Sequence, residues 1–131
     1  AAIVYLGMTH QELDNDLIAK TQYEKALSIA PDHVDALDNL AWLLATSNEP
    51  QLRNPAEALR LARQAAELTQ YQRYHVLSTL AAAAAATGDF AAAVKWQTRA
   101  VELAPAGEAA TLKARLKRYQ SGQSLQNETP D

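Results

Sequence analysis

The chain has 131 residues, 48% of them hydrophobic and 21% charged, which is enough for one domain with a continuous hydrophobic core. Its net charge of -3 gives no basic surface for nucleic acid or for an anionic membrane, and no apolar run approaches the roughly 20 residues of a membrane span. The absence of cysteine excludes disulfides and thiolate zinc sites. We therefore expect a soluble protein, with the cytoplasm favoured as its compartment.

Turn and capping signals divide the chain into seven predicted helices and no strands. Asp14-Asn15-Asp16 is interpreted as a turn between the first two helices, and Pro31 and Pro105 close two others because proline lacks a backbone donor. Asn54-Pro55 provides a cap and a proline at the first helical position, and Gly88-Asp89 ends one helix and begins the next. The predicted helices are near residues 2–13, 16–30, 33–47, 55–69, 73–87, 90–103 and 107–120.

A short pattern repeats along the chain. Leu6-Gly7 and Leu40-Ala41 lie 34 residues apart, and Leu80-Ala81 returns after a slightly longer interval. A period of about 34 residues is the length of one helix-turn-helix unit of a tetratricopeptide array. Small residues at these positions allow two helices to approach closely, so the repeat predicts stacked helix pairs.

Residue by residue, three copies resemble the tetratricopeptide repeat family. The matching positions are Ile3, Leu6-Gly7, Ala19, Tyr23, Ala26 and Pro31 in the first copy; Leu37, Leu40-Ala41, Ala58 and Ala65 in the second; and Leu77, Leu80-Ala81, Gly88-Asp89-Phe90, Ala93, Ala100 and Pro105 in the third. The resemblance implies an all-α, right-handed superhelical solenoid of antiparallel helix pairs. The expected units are residues 1–33, 34–72 and 74–107, followed by a capping helix over 107–120 and a flexible tail over 121–131.

The middle copy departs from the family pattern in two ways. It has Gln70 where the family has proline, and it carries extra residues before Ala58. We expect the extra segment, residues 47–54, to form a loop outside the groove that tolerates shortening. Residues 40–46 with this loop are similar to the closing repeats of longer bacterial arrays, so the chain is expected to be part of a larger protein.

Nothing in the sequence predicts catalysis or a cofactor. A cysteine nucleophile is excluded, and the four glycines are too scattered for a phosphate-binding loop. The one group of residues that resembles a metal site is Asp32, His33, Asp35 and Asp38. We interpret Asp32 as a helix cap and the others as helix surface, so no metal is expected.

Two functions remain open. The first is a non-catalytic interaction module that binds a peptide or protein segment on its concave face. The second is a structural or assembly element that extends an array or mediates self-association without a ligand in the groove. In that second case the apolar amino end, residues 1–4, is expected to associate weakly with another copy through the N-terminal helix pair.

The predicted binding residues lie on the first helices of the second and third units. Leu37, Leu40, Ala41 and Leu44 share the buried face of one helix, which leaves another face for the polar side chains. Polar side chains on that face suit the binding of a short basic or polar segment. For the indole of Trp42, packing against the next unit is the alternative role. The candidate site residues are Asp35, Asp38, Asn39, Trp42, His75 and Ser78.

The family resemblance also argues against one partner class. Tetratricopeptide domains that bind the carboxylate terminus of heat-shock chaperones use two lysines, an arginine and two asparagines. Asn39 matches that set, whereas Val4, Met8, His75 and Thr79 stand at the other positions. Binding of a chaperone tail is therefore not expected.

Overall fold

A computed structural model describes the backbone of residues 2–125 and the side chains of residues 15–125. The described backbone forms helices joined by turns, without a strand. The helices are α1 (Ala2–Ile29), α2 (Val34–Thr46), α3 (Pro55–Leu68), α4 (Tyr74–Ala86), α5 (Phe90–Leu103) and α6 (Ala106–Gln120). The predicted bounds of α2 to α6 agree with these to within one residue.

The prediction of two helices before Pro31 is wrong. A single helix, α1, runs through Asp14-Asn15-Asp16 without the predicted turn. These three residues include neither the glycine nor the proline that ends a helix elsewhere in the chain, so local chemistry gives no reason to stop. The side chains of residues 1–14, including the first-copy positions Ile3 and Leu6-Gly7, lie outside the described residues.

Most of the side-chain caps predicted from the sequence are present at the starts of the helices. Asn54 Oδ1 accepts from the backbone N–H of Glu57 (3.3 Å), and Asp89 Oδ1 accepts from that of Ala92 (3.1 Å). Gly88 supplies the left-handed turn (φ 90°) that ends α4. The cap assigned to Asp32 is wrong. His33 Nδ1 accepts from the N–H of Ala36 instead (3.2 Å).

Each helix packs against the next one along the chain, and α2 also packs against α4. The seams between them contain alanines with no exposed surface, among them Ala41, Ala58 and Ala81. Residues 81–85, an alanine run, are 0–2% exposed, so they are packing positions between helices. Such close packing of successive helices fits an all-α helical repeat.

The turn that follows α3 lacks the proline that the family pattern has at this position. Gln70 and Tyr71 both adopt left-handed backbone conformations, with φ of 56° and 57°. Proline cannot adopt a positive φ, which explains why glutamine stands here. The turn is held by the Tyr71 N–H, which donates to Ala66 O (2.8 Å), and by the Tyr71 ring, which stacks on Trp96 with centroids 5.1 Å apart.

The loop between α2 and α3 is ordered, and it contributes to the core. The Asn54 N–H donates to Leu44 O (2.9 Å), which ties the end of the loop to the last turns of α2. Leu52 is only 3% exposed. This burial argues against deletions that remove Leu52, and tolerance of shortening elsewhere in the loop stays a prediction.

The carboxyl end of the domain is held by α6 and by the turn that follows it. Leu112 and Tyr119, seven residues apart on α6, are both buried, so α6 packs against the domain through one face. Gln97 of α5 is fully buried and donates from Nε2 to Leu112 O (2.9 Å), which ties α5 to α6. Leu125 is 4% exposed and belongs to the same core cluster as Tyr119.

The first part of the predicted flexible tail, residues 121–125, is held against the domain instead. Gly122 takes a left-handed conformation (φ 73°), and Arg118 donates to Ser124 O (2.7 Å). These contacts fold residues 121–125 back onto α6. The remainder of the predicted tail, residues 126–131, lies outside the described residues.

We predict that Gln97→Ala lowers the free energy of unfolding by about 2 kcal/mol, because it removes a buried hydrogen bond and leaves a cavity between α5 and α6. Gln120→Ala, at an exposed position of α6, is the matched control. Denaturant unfolding of both variants provides the measurement, and equal midpoints would show that Gln97 does not hold α6.

We predict that Leu52→Ala also costs about 2 kcal/mol, because the side chain fills space beside Leu40 and Leu44. Gln51→Ala changes the exposed neighbour and is expected to be nearly neutral. Thermal unfolding followed by circular dichroism distinguishes the two variants. A silent Leu52→Ala would mean that the loop does not support the core.

Candidate functional site

Three alternate helices, α2, α4 and α6, enclose a cavity of about 380 Å³. We call this cavity and its lining the groove. All three helices present polar side chains to it, while their apolar faces are buried in the seams. The lining residues are Asp38, Asn39, Trp42, Tyr74, His75, Ser78, Thr79, Glu108, Thr111, Leu112 and Arg115.

The structure brings together five of the six residues that the sequence indicated. Asp38, Asn39 and Trp42 line the groove from α2, and His75 and Ser78 line it from α4. Asp35 does not reach it. That residue is exposed in the first turn of α2, one turn before Asp38.

Asp38 is the most buried charged residue of the groove, with 7% of its surface exposed. His75 Nδ1 lies 3.1 Å from Asp38 Oδ2, which joins α2 to α4 at the base of the groove. Asp38 Oδ2 accepts this hydrogen bond when Nδ1 of the imidazole carries a proton. Asp38 Oδ1 is buried and has no hydrogen-bond partner among the described residues.

A second buried polar atom lies on α4. Ser78 is 3% exposed, and its Oγ has no hydrogen-bond partner in the described part of the chain. The neighbouring Thr79 hydroxyl differs, because it donates to His75 O within the helix (3.0 Å). Burial of unpaired oxygen atoms costs free energy, so Asp38 Oδ1 and Ser78 Oγ are acceptors suited to an incoming donor.

Trp42 and Arg115 meet across the groove from α2 and α6. The Arg115 guanidinium carbon lies 4.8 Å from the centroid of the Trp42 ring, which is a cation–π contact. Trp42 also packs against the core cluster that contains the alanines of α4. Both roles considered for Trp42, at the groove and against the next unit, therefore have contacts in the structure.

A sequence profile described as tetratricopeptide repeat matches residues 3–33 and 74–106. The chain belongs to the tetratricopeptide repeat family. The matched segments are the first and third copies, and the copy between them is the one with the inserted loop and with Gln70 in place of proline. No curated protein and no solved structure gives a significant match to the chain.

Tetratricopeptide repeats are in general protein-interaction modules and are typically non-catalytic scaffolds. In the described part of this repeat protein, no helix is long and apolar enough to cross a membrane. Within the same residues, no three His, Asp or Glu side chains lie close enough together to hold a metal ion. His33 instead caps α2, and Asp32 Oδ1 accepts from Gln64 Nε2 (3.4 Å).

Sequence reasoning missed the wall of the groove that α6 supplies, because α6 was treated only as a cap for the last repeat. Continuing the 34-residue period into α6 predicts part of this wall. Glu108 and Leu112 follow Tyr74 and Ser78 by 34 residues, and all four residues line the groove. Arg115 had no comparable signal, since basic residues are common near the end of any helix.

Proposed function

We propose that this tetratricopeptide repeat protein is a non-catalytic interaction module whose groove binds a segment of another protein. One observation carries the proposal: polar residues from three different helices converge on a single cavity. Most positions of the lining offer a hydrogen-bonding side chain, and the indole and the phenol of Tyr74 add flat apolar surface. A peptide backbone and its side chains can be recognised by that combination.

The exposed part of the lining suits an extended segment. Asn39, an exposed amide on α2, can both donate to and accept from a peptide group, and Thr111 faces the same cavity from α6. These side chains need little rearrangement because each is held on a packed helix. A rigid groove of this kind loses little conformational entropy on binding.

We predict that a bulky side chain at the groove blocks peptide binding. Thr111→Trp fills the opening, while Thr98→Trp places the same substitution at an exposed position of α5 that does not line the groove. A phage-displayed library of random peptides serves as the probe. Peptides enriched on the unmodified protein should bind Thr98→Trp normally and Thr111→Trp at least about tenfold more weakly.

Retention of binding by Thr111→Trp would place the ligand elsewhere and contradict the proposal. The same conclusion would follow if the library yields no peptide that distinguishes the two variants. Circular dichroism of both proteins controls for folding. The tryptophan substitutions lie on helix surfaces, so both variants are expected to keep their helical content.

A second candidate function, self-association, is favoured by the surface of α1. Leu17, Ile18 and Ile29 are 43%, 56% and 77% exposed, and they leave an apolar face on a helix that packs mainly against α2. The association was first expected through an N-terminal helix pair. Because that pair is one helix, we propose that a second copy packs directly against α1.

We predict that Ile18→Glu weakens dimer formation at least about tenfold, because the charge would be buried at the interface. Leu68→Glu, a substitution of a similarly exposed residue on α3, is the control. Sedimentation velocity over a range of concentrations gives the measurement. If the unmodified protein remains monomeric at millimolar concentration, the second candidate is excluded.

A further inference from the structure

We infer that the segment bound in the groove presents a cationic side chain, a lysine ammonium or an arginine guanidinium, to Asp38 and Glu108. This inference rests on the proposed function and specifies its ligand. Three observations carry it: the unpaired buried acceptors, the balance of charge around the groove, and the position of the cation that the chain itself places there.

The first observation is the half-satisfied carboxylate. Asp38 Oδ2 accepts from His75, while Oδ1 is buried without a partner in the described part of the chain. Ser78 also lines the groove, and its buried hydroxyl oxygen has no partner in the described part of the chain. An ammonium or guanidinium group carries several N–H donors, so it can pair with more than one acceptor of the lining. A neutral donor could pair with them too, but only a cation also compensates the carboxylate charge.

The second observation is the charge of the lining. Asp38 and Glu108 contribute two carboxylates, and Arg115 contributes the one fixed positive charge among the described lining residues. The carboxylates therefore outnumber the fixed positive charge, and the lining favours a cation over an anion. This balance agrees with the missing basic residues of the chaperone-tail clamp.

The third observation is the location of Arg115. Its guanidinium is over the ring of Trp42, 4.8 Å from the ring centroid. On α2, Trp42 lies about one turn after Asp38. On α6, Arg115 lies about two turns after Glu108. The groove is thus acidic toward the beginning of its helices and cationic toward Arg115. The ligand cation belongs at the acidic end, where it approaches the carboxylates and avoids repulsion from Arg115.

The inference is tested with the peptides that the random library yields. Peptides that require the open groove, defined by loss of binding to Thr111→Trp, should carry lysine or arginine at one shared position. Replacing that residue by glutamine should weaken binding to the unmodified protein by at least about tenfold, because a charge-assisted hydrogen bond in a buried site is lost.

Variants of the protein, combined with the peptide substitution, form a double-mutant cycle. Asp38→Asn and Glu108→Gln should each weaken binding of the basic peptide while changing binding of its glutamine version by less than about threefold, so the two losses are coupled. Glu67→Gln removes an exposed carboxylate of α3 and is the matched control. Glu108 is exposed, so its variant remains informative if Asp38→Asn fails to fold.

Three results would overturn the inference, and they can be told apart. Groove-dependent peptides without a shared basic residue would leave the proposed function standing and exclude the cationic ligand. A library that gives no groove-dependent peptide would exclude both. Basic peptides that bind all four proteins equally would show that Asp38 and Glu108 serve only as favourable charges near the beginnings of their helices.

Discussion

The close approach of helices through alanine seams is the constraint on which the rest of this structure depends. Ala41, Ala58, Ala81 and Ala93 have no exposed surface, and each is positioned so that a neighbouring helix can lie against its backbone. A larger side chain at such a position would force the helices apart, with a cost of about 1–3 kcal/mol. The packing of successive helices, and of α2 against α4, brings α2, α4 and α6 together around one cavity.

Narrow seams also explain how a small domain can accommodate buried polar groups. The alanines of α2 and α4 pack against neighbouring helices, whereas Asp38 and Ser78 lie on the sides of these helices that line the groove. His75 satisfies one oxygen of Asp38, and the other remains unpaired within the described residues. An arrangement that stabilised the domain alone would place an apolar residue here. The retained polarity is what a binding site requires, and it is the physical reason for regarding the groove as functional.

The sequence predicted those parts of the fold for which local chemistry and repeat spacing agree. The start of α3, the end of α4 and the start of α5 follow from Asn54, Gly88 and Asp89, whose roles are visible within four residues of chain. It failed at α1, where Asp14-Asn15-Asp16 predicted a turn although no glycine or proline ends the helix there, and at Leu125, whose burial depends on a contact with distant residues. In the groove, Asp35 was included because it shares a helical face with Asp38. Its place in the first turn of α2 leaves it exposed, and only the three-dimensional arrangement reveals this.

The last helix connects stability with binding. Leu112 is buried in the core, accepts from Gln97 through its carbonyl, and also lines the groove, so one turn of α6 serves both surfaces. Arg115 follows on the same helix and contacts Trp42 on α2. A helix that merely covered the end of the repeat would need only an apolar face against the core and a polar face toward solvent. Here the polar side carries Glu108, Thr111 and Arg115 into the groove, so loosening α6 would disturb the groove before it exposed the seams between α2, α3 and α4.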